Sequence, residues 1–241
     1  MFRRVLDGLA DLIYPRICLI CRKRLGPLNI DNLVCPGCWE KIRKNSPPFC
    51  RLCGRHLTTK GFAKSICPAC IRSPLEFDRA FSPCRYEDVV KELIHEFKYR
   101  NKDYLGRTLS RLMIEFIKEY SIPVAYCDLV VPVPLHKARL REREFNQAEI
   151  LAGFIAREFD RPIAGSALQR KRMTKSQTEL SDKERFTNVR GSFSLNPELN
   201  VNKKNVLLVD DVLTTGATAS EAATALKASG ANIVFVITLA N

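Results

Sequence analysis

No stretch of this chain approaches the roughly 18 consecutive apolar residues that a membrane-spanning helix needs, and aromatic residues make up only 8% of it, with a single tryptophan. The first absence excludes a helical membrane protein. The second leaves the basic segments with few rings on which nucleobases stack. Acids are also scarce: 26 Asp+Glu against 39 Lys+Arg give a formal charge of +13. No small-residue cleavage site precedes Cys18, and Asp7 and Asp11 interrupt the apolar stretch behind Arg3 and Arg4, so no secretory signal is expected. A G-x-x-x-x-G-K-[ST] loop is missing, which removes the partner that a Walker-type acidic strand requires. What remains is globular in composition, with 241 residues, 46% hydrophobic and 27% charged, enough for one large domain or two modest ones. The basic surplus points toward phosphate-rich partners or, more plainly, toward solubility.

Cysteine is the residue in excess. Eight of the ten fall in C-x-x-C pairs: Cys18/Cys21, Cys35/Cys38, Cys50/Cys53 and Cys67/Cys70. Adding 32 to each of the first four positions lands on the second four, so the segment is an internal duplication of C-x2-C-x13-C-x2-C. Two tight knuckles, each presenting a pair of thiolates, suit a tetrahedral Zn²⁺, and two such halves predict two structural zinc sites. A disulfide framework is the competing reading; it requires an oxidising compartment, whereas this sequence reads as cytoplasmic. Spacing leaves open whether the pairs combine sequentially or in a cross-braced fashion. His56 reads as a surface histidine and Trp39 as packing for the small module. Phe2, Val5, Leu6, Leu9, Leu12 and Ile13 recur at helical spacing and predict a short amphipathic helix before the first knuckle. Residues 1–75 carry 14 Lys+Arg and 4 Asp+Glu. Eight thiolates with two zinc ions leave that segment positive, a surface for nucleic acid or a partner, or a structural cap.

Beyond Ser73-Pro74 the pattern changes, and the chain divides into a helix and double ribbon over 1–75 and an α/β domain over 76–241. Strands are expected over Ala80–Tyr86, Leu129–Val133, Val206–Val209 and Ile233–Leu239. Helices are expected over Val89–Lys98, Leu105–Tyr120, Asn146–Phe159 and Ala217–Ala228, the last closed by Gly230. Strand, helix and strand in succession imply a parallel sheet flanked by helices.

The stretch Val206 to Thr218 carries the chemistry. A buried strand delivers Asp210 and Asp211 at its C-terminal end, where ligands bind in open α/β sheets. A hydroxyl-rich turn, Thr214-Thr215-Gly216, then opens the helix, offering N–H groups and the Thr218 hydroxyl to a phosphate. Adjacent carboxylates accept from vicinal hydroxyls, so a sugar phosphate is implied. An acidic metal site on a doubly wound fold is the alternative. Lys137, Arg139, Arg141 and Arg143 form a cationic stretch suited to a diphosphate, or a solvated charged loop. Arg170 to Lys175, with Ser176-Gln177-Thr178 behind it, reads as a flap over the substrate or as a basic surface for a nucleic-acid backbone.

Val206 to Thr218 resembles the phosphoribosyl-pyrophosphate signature of type I phosphoribosyltransferases. Val131-Pro132-Val133-Pro134-Leu135-His136, Phe145-Asn146-Gln147-Ala148, Lys175-Ser176-Gln177-Thr178, Arg185, Asn188-Val189 and Phe193, together with the cysteine knuckles, extend the resemblance to the ComF (ComFC/GntX-like) family over essentially the whole chain. It implies a type I phosphoribosyltransferase fold behind a double zinc ribbon with four cysteines to each site. Asp210 and Asp211, the catalytic candidates, would hold the ribose 2′- and 3′-hydroxyls directly or through Mg²⁺. Thr214, Thr215, Gly216, Ala217 and Thr218 would cradle the 5′-phosphate. A loop from Leu135 to Arg143 would meet pyrophosphate through Lys137, Arg139 and Arg141. Two functions follow from the resemblance: a ligand-responsive module handling incoming single-stranded DNA in natural transformation beside a helicase-like partner, or a phosphoribosyltransferase acting on an unidentified acceptor. Glutamine-dependent chemistry is not expected, because the first cysteine, Cys18, sits in a knuckle. Glu144 departs from the family pattern, which has Gly before Phe-Asn-Gln.

Overall fold

The computed structural model describes residues 16–57, 65–99, 102–172 and 182–241. The amphipathic helix expected over Phe2–Ile13 and the Lys175–Thr178 part of the flap lie outside them. In chain order the elements are α1 (Pro36–Trp39), α2 (Pro68–Arg72), β1 (Arg79–Phe81), α3 (Asp88–Lys98), α4 (Leu105–Glu119), a 3-10 turn (Val124–Tyr126), β2 (Leu129–Pro132), α5 (Lys137–Arg143), α6 (Gln147–Glu158), β3 (Leu168–Arg170), α7 (Asp182–Val189), β4 (Phe193–Leu195), β5 (Asn205–Val212), α8 (Ala217–Ala228) and β6 (Ile233–Ala240).

Four strands form one parallel sheet in the order β1-β6-β5-β2, with Val209 level with both Pro132 and Ile237. β3 and β4 pair antiparallel as a separate ribbon. The β-branched runs build the sheet interior because both faces are covered. Leu207, Val209 and Ile237 join a core with α3, α4 and α6, while Val206, Leu208, Val234 and Val236 join a second core with α8. Helix α3 buries Val89, Val90, Leu93, Ile94 and Phe97, one stripe at helical spacing. On the opposite face α8 offers Ala219, Ala222 and Ala223, whose small side chains let its backbone lie close to the strands.

The duplication is visible in three dimensions. Ile17 bridges Arg24 as Phe49 bridges His56, and the Leu25 N–H donates to the Arg16 carbonyl as the Leu57 N–H donates to that of Pro48, at 2.7 Å in both. α1 and α2 each start on a proline placed directly behind a cysteine cap. The two copies take opposite faces of the sheet: Cys18, Val34 and Cys38 lie in the α3/α4 core, whereas Cys50, Cys53, Cys67 and Cys70 lie in the α8 core. Between them, Lys44 bridges Cys84, and the buried Asn45 donates to the Ser82 and Cys84 carbonyls and to the Asn241 side chain, so the connector is sewn to the sheet edge.

Equivalent positions in the two copies have diverged. Arg22 and Gly54 share a left-handed backbone, φ 61° and 70°. At Gly54 a Cβ would sit 2.5 Å from the Ala80 carbonyl oxygen, so only glycine fits. At Arg22 the side chain instead reaches Glu96 on α3 at 3.1 Å.

Two expectations require correction. The first strand is confined to Arg79–Phe81, with one further bridge to β6 where Cys84 meets Ala240, because Pro83 has no N–H to continue the ladder. The stretch expected as a loop from Leu135 to Arg143 is helical over Lys137–Arg143. The His136 ring accepts from the Ala138 N–H at its start, and the Glu144 N–H closes its end on the Leu140 carbonyl.

Candidate functional site

A cleft of about 410 Å³ opens at the C-terminal ends of β2 and β5. Its floor is Asp210 and Asp211. One wall carries Arg139 and Arg143, and another carries Lys91, His95 and Lys98 along α3 with Tyr99 just beyond it; Arg170 and Arg185 close it, with Thr214 and Thr218 at one side. Six cations thus face two acids, a surplus matched to a ligand bearing several negative charges.

The helical form of α5 decides which of its cations serve the cleft. Arg139 and Arg143 are one turn apart, half-buried and turned inward; Lys137 and Arg141 are exposed and are not among the lining residues. The Phe-Asn-Gln motif behind this helix is its anchor. Phe145 packs on Phe97 with ring centroids 5.7 Å apart, and the Asn146 amide donates to the Val133 carbonyl at the end of β2. Gln147 donates to the Phe97 carbonyl and accepts from Arg143 at 3.2 Å. Arg143 also lies over the Tyr99 ring, 5.3 Å from its centroid.

Lys98 places its Nζ 2.6 Å from Asp211 Oδ2. Burial acts to discharge Lys98, but the adjoining Asp211 and then Asp210 outweigh it and hold its ammonium above the usual lysine value. Burial, reinforced by the Asp211 charge, pushes the Asp210 carboxyl up to about 7, against the pull of Lys98 and Arg170. Burial and the facing charges of Arg139 and Arg143 bring Arg170 down. Acids and cations are thus crowded together on the cleft lining.

The turn between β5 and α8 is built for close approach. Leu213 is buried and its N–H donates to the Ala240 carbonyl; Gly216 has φ +83°, and a Cβ there would meet Leu75 Cδ2 at 2.9 Å. The Ala217 N–H donates to the Thr215 hydroxyl at 3.4 Å, just ahead of the helix, while Thr214 and Thr218 line the cleft. Gly216 and Ala217 are buried parts of the turn's frame.

The eight paired cysteines form two clusters, Cys18/Cys21/Cys35/Cys38 and Cys50/Cys53/Cys67/Cys70, with sulfurs in each within 4.8 Å of one another. Combination is therefore sequential. A tetrahedral zinc at about 2.3 Å from each sulfur sets sulfurs about 3.8 Å apart, and Cys21···Cys35 at 3.7 Å and Cys53···Cys67 at 3.6 Å match. In both clusters the N–H of the third cysteine donates to the sulfur of the first, at 3.4 and 3.3 Å. Burial alone would raise Cys18, but backbone N–H groups bring it down to about 6; its neighbour Cys38 is pushed up to about 12 by burial and by the surrounding thiols. Four thiols in contact do not all ionise without a cation among them, so the donor set fits zinc. His56 is in neither cluster and pairs through Nδ1 with the Ser46 carbonyl. Cys84 and Cys127 are buried, with thiols raised to about 12 and about 11 by burial.

Asp210, Asp211, Arg139, Thr214 and Thr218 are thus brought together, and Lys137 stands apart. Sequence reasoning missed Lys98, His95 and Tyr99 as cleft residues. Lys98 follows the core residue Phe97 in an amphipathic helix, and no local pattern marks it. A sheet that turns its C-terminal edge toward the end of α3 is what gives it a role.

Residues 9–71 match the double zinc ribbon domain and residues 146–241 the phosphoribosyl transferase domain. Competence protein F of Haemophilus influenzae is 32% identical over 92% of this chain and 96% of its own length. DNA utilization protein YhgH of Escherichia coli is 29% identical over 93% and 96%, respectively. Competence protein ComFC of Bacillus subtilis is 30% identical over 90% and 91%. With a doubled four-cysteine ribbon leading into a parallel phosphoribosyltransferase-type sheet, and with this extent of likeness, the chain belongs to the competence protein F (ComFC) family.

Proposed function

We propose that the cleft binds phosphoribosyl pyrophosphate together with Mg²⁺, and that the protein uses this site in handling incoming single-stranded DNA during natural transformation. The observation that carries the ligand assignment is the apposition of the β5 acids to the inward face of α5 across one cleft. Asp210 and Asp211 take the ribose hydroxyls, and they are the residues that would hold Mg²⁺ alongside the ligand. The turn from Thr214 to Thr218 receives the 5′-phosphate, and Arg139 and Arg143 receive the diphosphate. Bound Mg²⁺ would supply neutralisation of the diphosphate charge. Lys98 pairs with Asp211 at 2.6 Å and holds its carboxylate in position, and Asn146 and Gln147 hold the α5 wall in place.

The names of the relatives support the DNA role, and the +13 charge suits a polyanion. A helicase-like partner of the uptake machinery fits the same setting. Among the described residues no helix is long and apolar enough to cross a membrane. A second reading, transfer of the phosphoribosyl group to an acceptor, has one observation behind it. Tyr86, His95 and Tyr99 line the cleft as an aromatic wall that the phosphoribosyl group itself does not require.

Calorimetric titration with phosphoribosyl pyrophosphate and Mg²⁺ tests the assignment. Wild type binds, and Asp210→Asn/Asp211→Asn loses most of the affinity; no binding by wild type refutes it. Pyrophosphate release on adding nucleobases or DNA would establish the transferase reading. DNA affinity that does not fall with salt would remove the polyanion from the argument.

A further inference from the structure

The second zinc ribbon touches the candidate phosphate turn directly. Arg55 Nη2 donates to the Thr214 carbonyl at 3.2 Å across 159 positions of sequence. Arg55 is itself part of the metal knuckle: its carbonyl accepts from the Cys50 N–H at 2.7 Å, and its own N–H is directed at the Cys53 sulfur. The knuckle cannot drift, because Gly54 is pressed on the Ala80 carbonyl and the Ala80 N–H donates to the Leu52 carbonyl at 2.6 Å. The segment leaving the ribbon then passes behind the same turn. Leu75 and Phe77 fill the space against Gly216, and the Glu76 N–H donates to Ser220 Oγ in the first turn of α8.

A peptide carbonyl and the following N–H point in opposite directions. Anchoring the Thr214 carbonyl on Arg55 therefore turns the Thr215 N–H away from the ribbon, and a cation on the carbonyl polarises that peptide so that its N–H becomes a stronger donor to an anion. We infer that the second zinc ribbon is the positioning element of the phosphate turn, with Arg55 setting the orientation of the Thr214–Thr215 peptide and Leu75 fixing Gly216 from behind. The inference rests on the phosphoribosyl reading for the identity of the anion, though not for the coupling itself.

The test uses full-length, zinc-loaded protein. Ribose 5-phosphate and inorganic pyrophosphate are titrated separately into wild type, Arg55→Ala and Arg55→Lys, with two zinc ions per chain verified in each. Arg55→Ala binds ribose 5-phosphate about tenfold more weakly, the value of one hydrogen bond from a charged donor. Its pyrophosphate affinity stays within about twofold, since that ligand is assigned to α5, and Arg55→Lys recovers much of the loss. Unchanged ribose 5-phosphate affinity in Arg55→Ala, or an equal loss for both ligands, overturns the inference. If wild type binds neither ligand, it is the phosphoribosyl reading that fails, and amide hydrogen exchange then decides the coupling. Faster exchange over 214–217 in Arg55→Ala supports it, and unchanged exchange refutes it.

Discussion

Replacing Lys98 by methionine keeps an unbranched side chain one atom shorter and removes its charge. The pair it breaks is close and mostly buried, with Nζ 2.6 Å from Asp211 Oδ2 and side chains 21% and 13% exposed. Removing one partner of such a pair strands the other, at a cost of about 3–5 kcal/mol. In a chain of this size that lowers Tm by about 10 °C. The cost depends on pH in a defined sense. Asp210 is raised to about 7 in the folded protein, above its unfolded value of about 3.9, so folding takes up a proton between those values. Wild type accordingly loses stability as pH rises through that window. Without Lys98 the two carboxylates lose their close counterion, keep only the pull of Arg170 on Asp210, and repel more strongly wherever both are ionised. The deficit of Lys98→Met relative to wild type is therefore larger at pH 8 than at pH 5.5, where Asp210 is protonated in both proteins. Thermal or urea unfolding at the two pH values measures it, with Lys98→Arg as the charge-conserving control. A deficit that is equal at both pH values, or greater in acid, would refute this account of the acid pair.

Glu144 closes α5 with φ +66°, a conformation that disfavours residues with a Cβ by roughly 1–2 kcal/mol. Glu144→Gly is expected to stabilise the protein by about 1 kcal/mol in urea unfolding, and a loss of stability would show that the Glu144 side chain contributes more than its backbone costs. Metal analysis should find two zinc ions per chain. In the loaded protein at pH 8 a thiol reagent should modify Cys84 and Cys127 negligibly, since their thiols titrate at about 12 and about 11. Chelation under native conditions should release the eight paired cysteines and leave these two protected, and ten rapidly reacting thiols would show that the sheet opens with the ribbons.

How far the chain can be read in advance follows the range of each interaction. β5, β6 and α8 are legible because their cues are local: a β-branched run, a glycine turn and an alanine-rich segment ending at Gly230. The repeat names all eight paired cysteines as ligand candidates, but spacing does not say which pairs share an ion, because both arrangements satisfy it. α5 reads as a loop because its cap is a histidine and its only apolar residues are Ala138 and Leu140, too few to show a helical stripe. Lys98 and Arg55 are not legible. Each is one cation among 39, and each acquires meaning from a partner more than a hundred residues away, Asp211 in one case and the Thr214 carbonyl in the other.

The divergence at positions 22 and 54 has a consequence for the history of the duplicated segment. Two copies made from one template begin as interchangeable parts, and the shared backbone twist at these positions preserves that origin. They are interchangeable no longer. A chain built with the second copy twice would put glycine at 22 and take away a cation from Glu96; a chain built with the first copy twice would drive an arginine against the Ala80 carbonyl. Each copy now carries an address that only its own face of the sheet can read, and shuffling the halves would scramble the molecule even though every zinc ligand stayed in place.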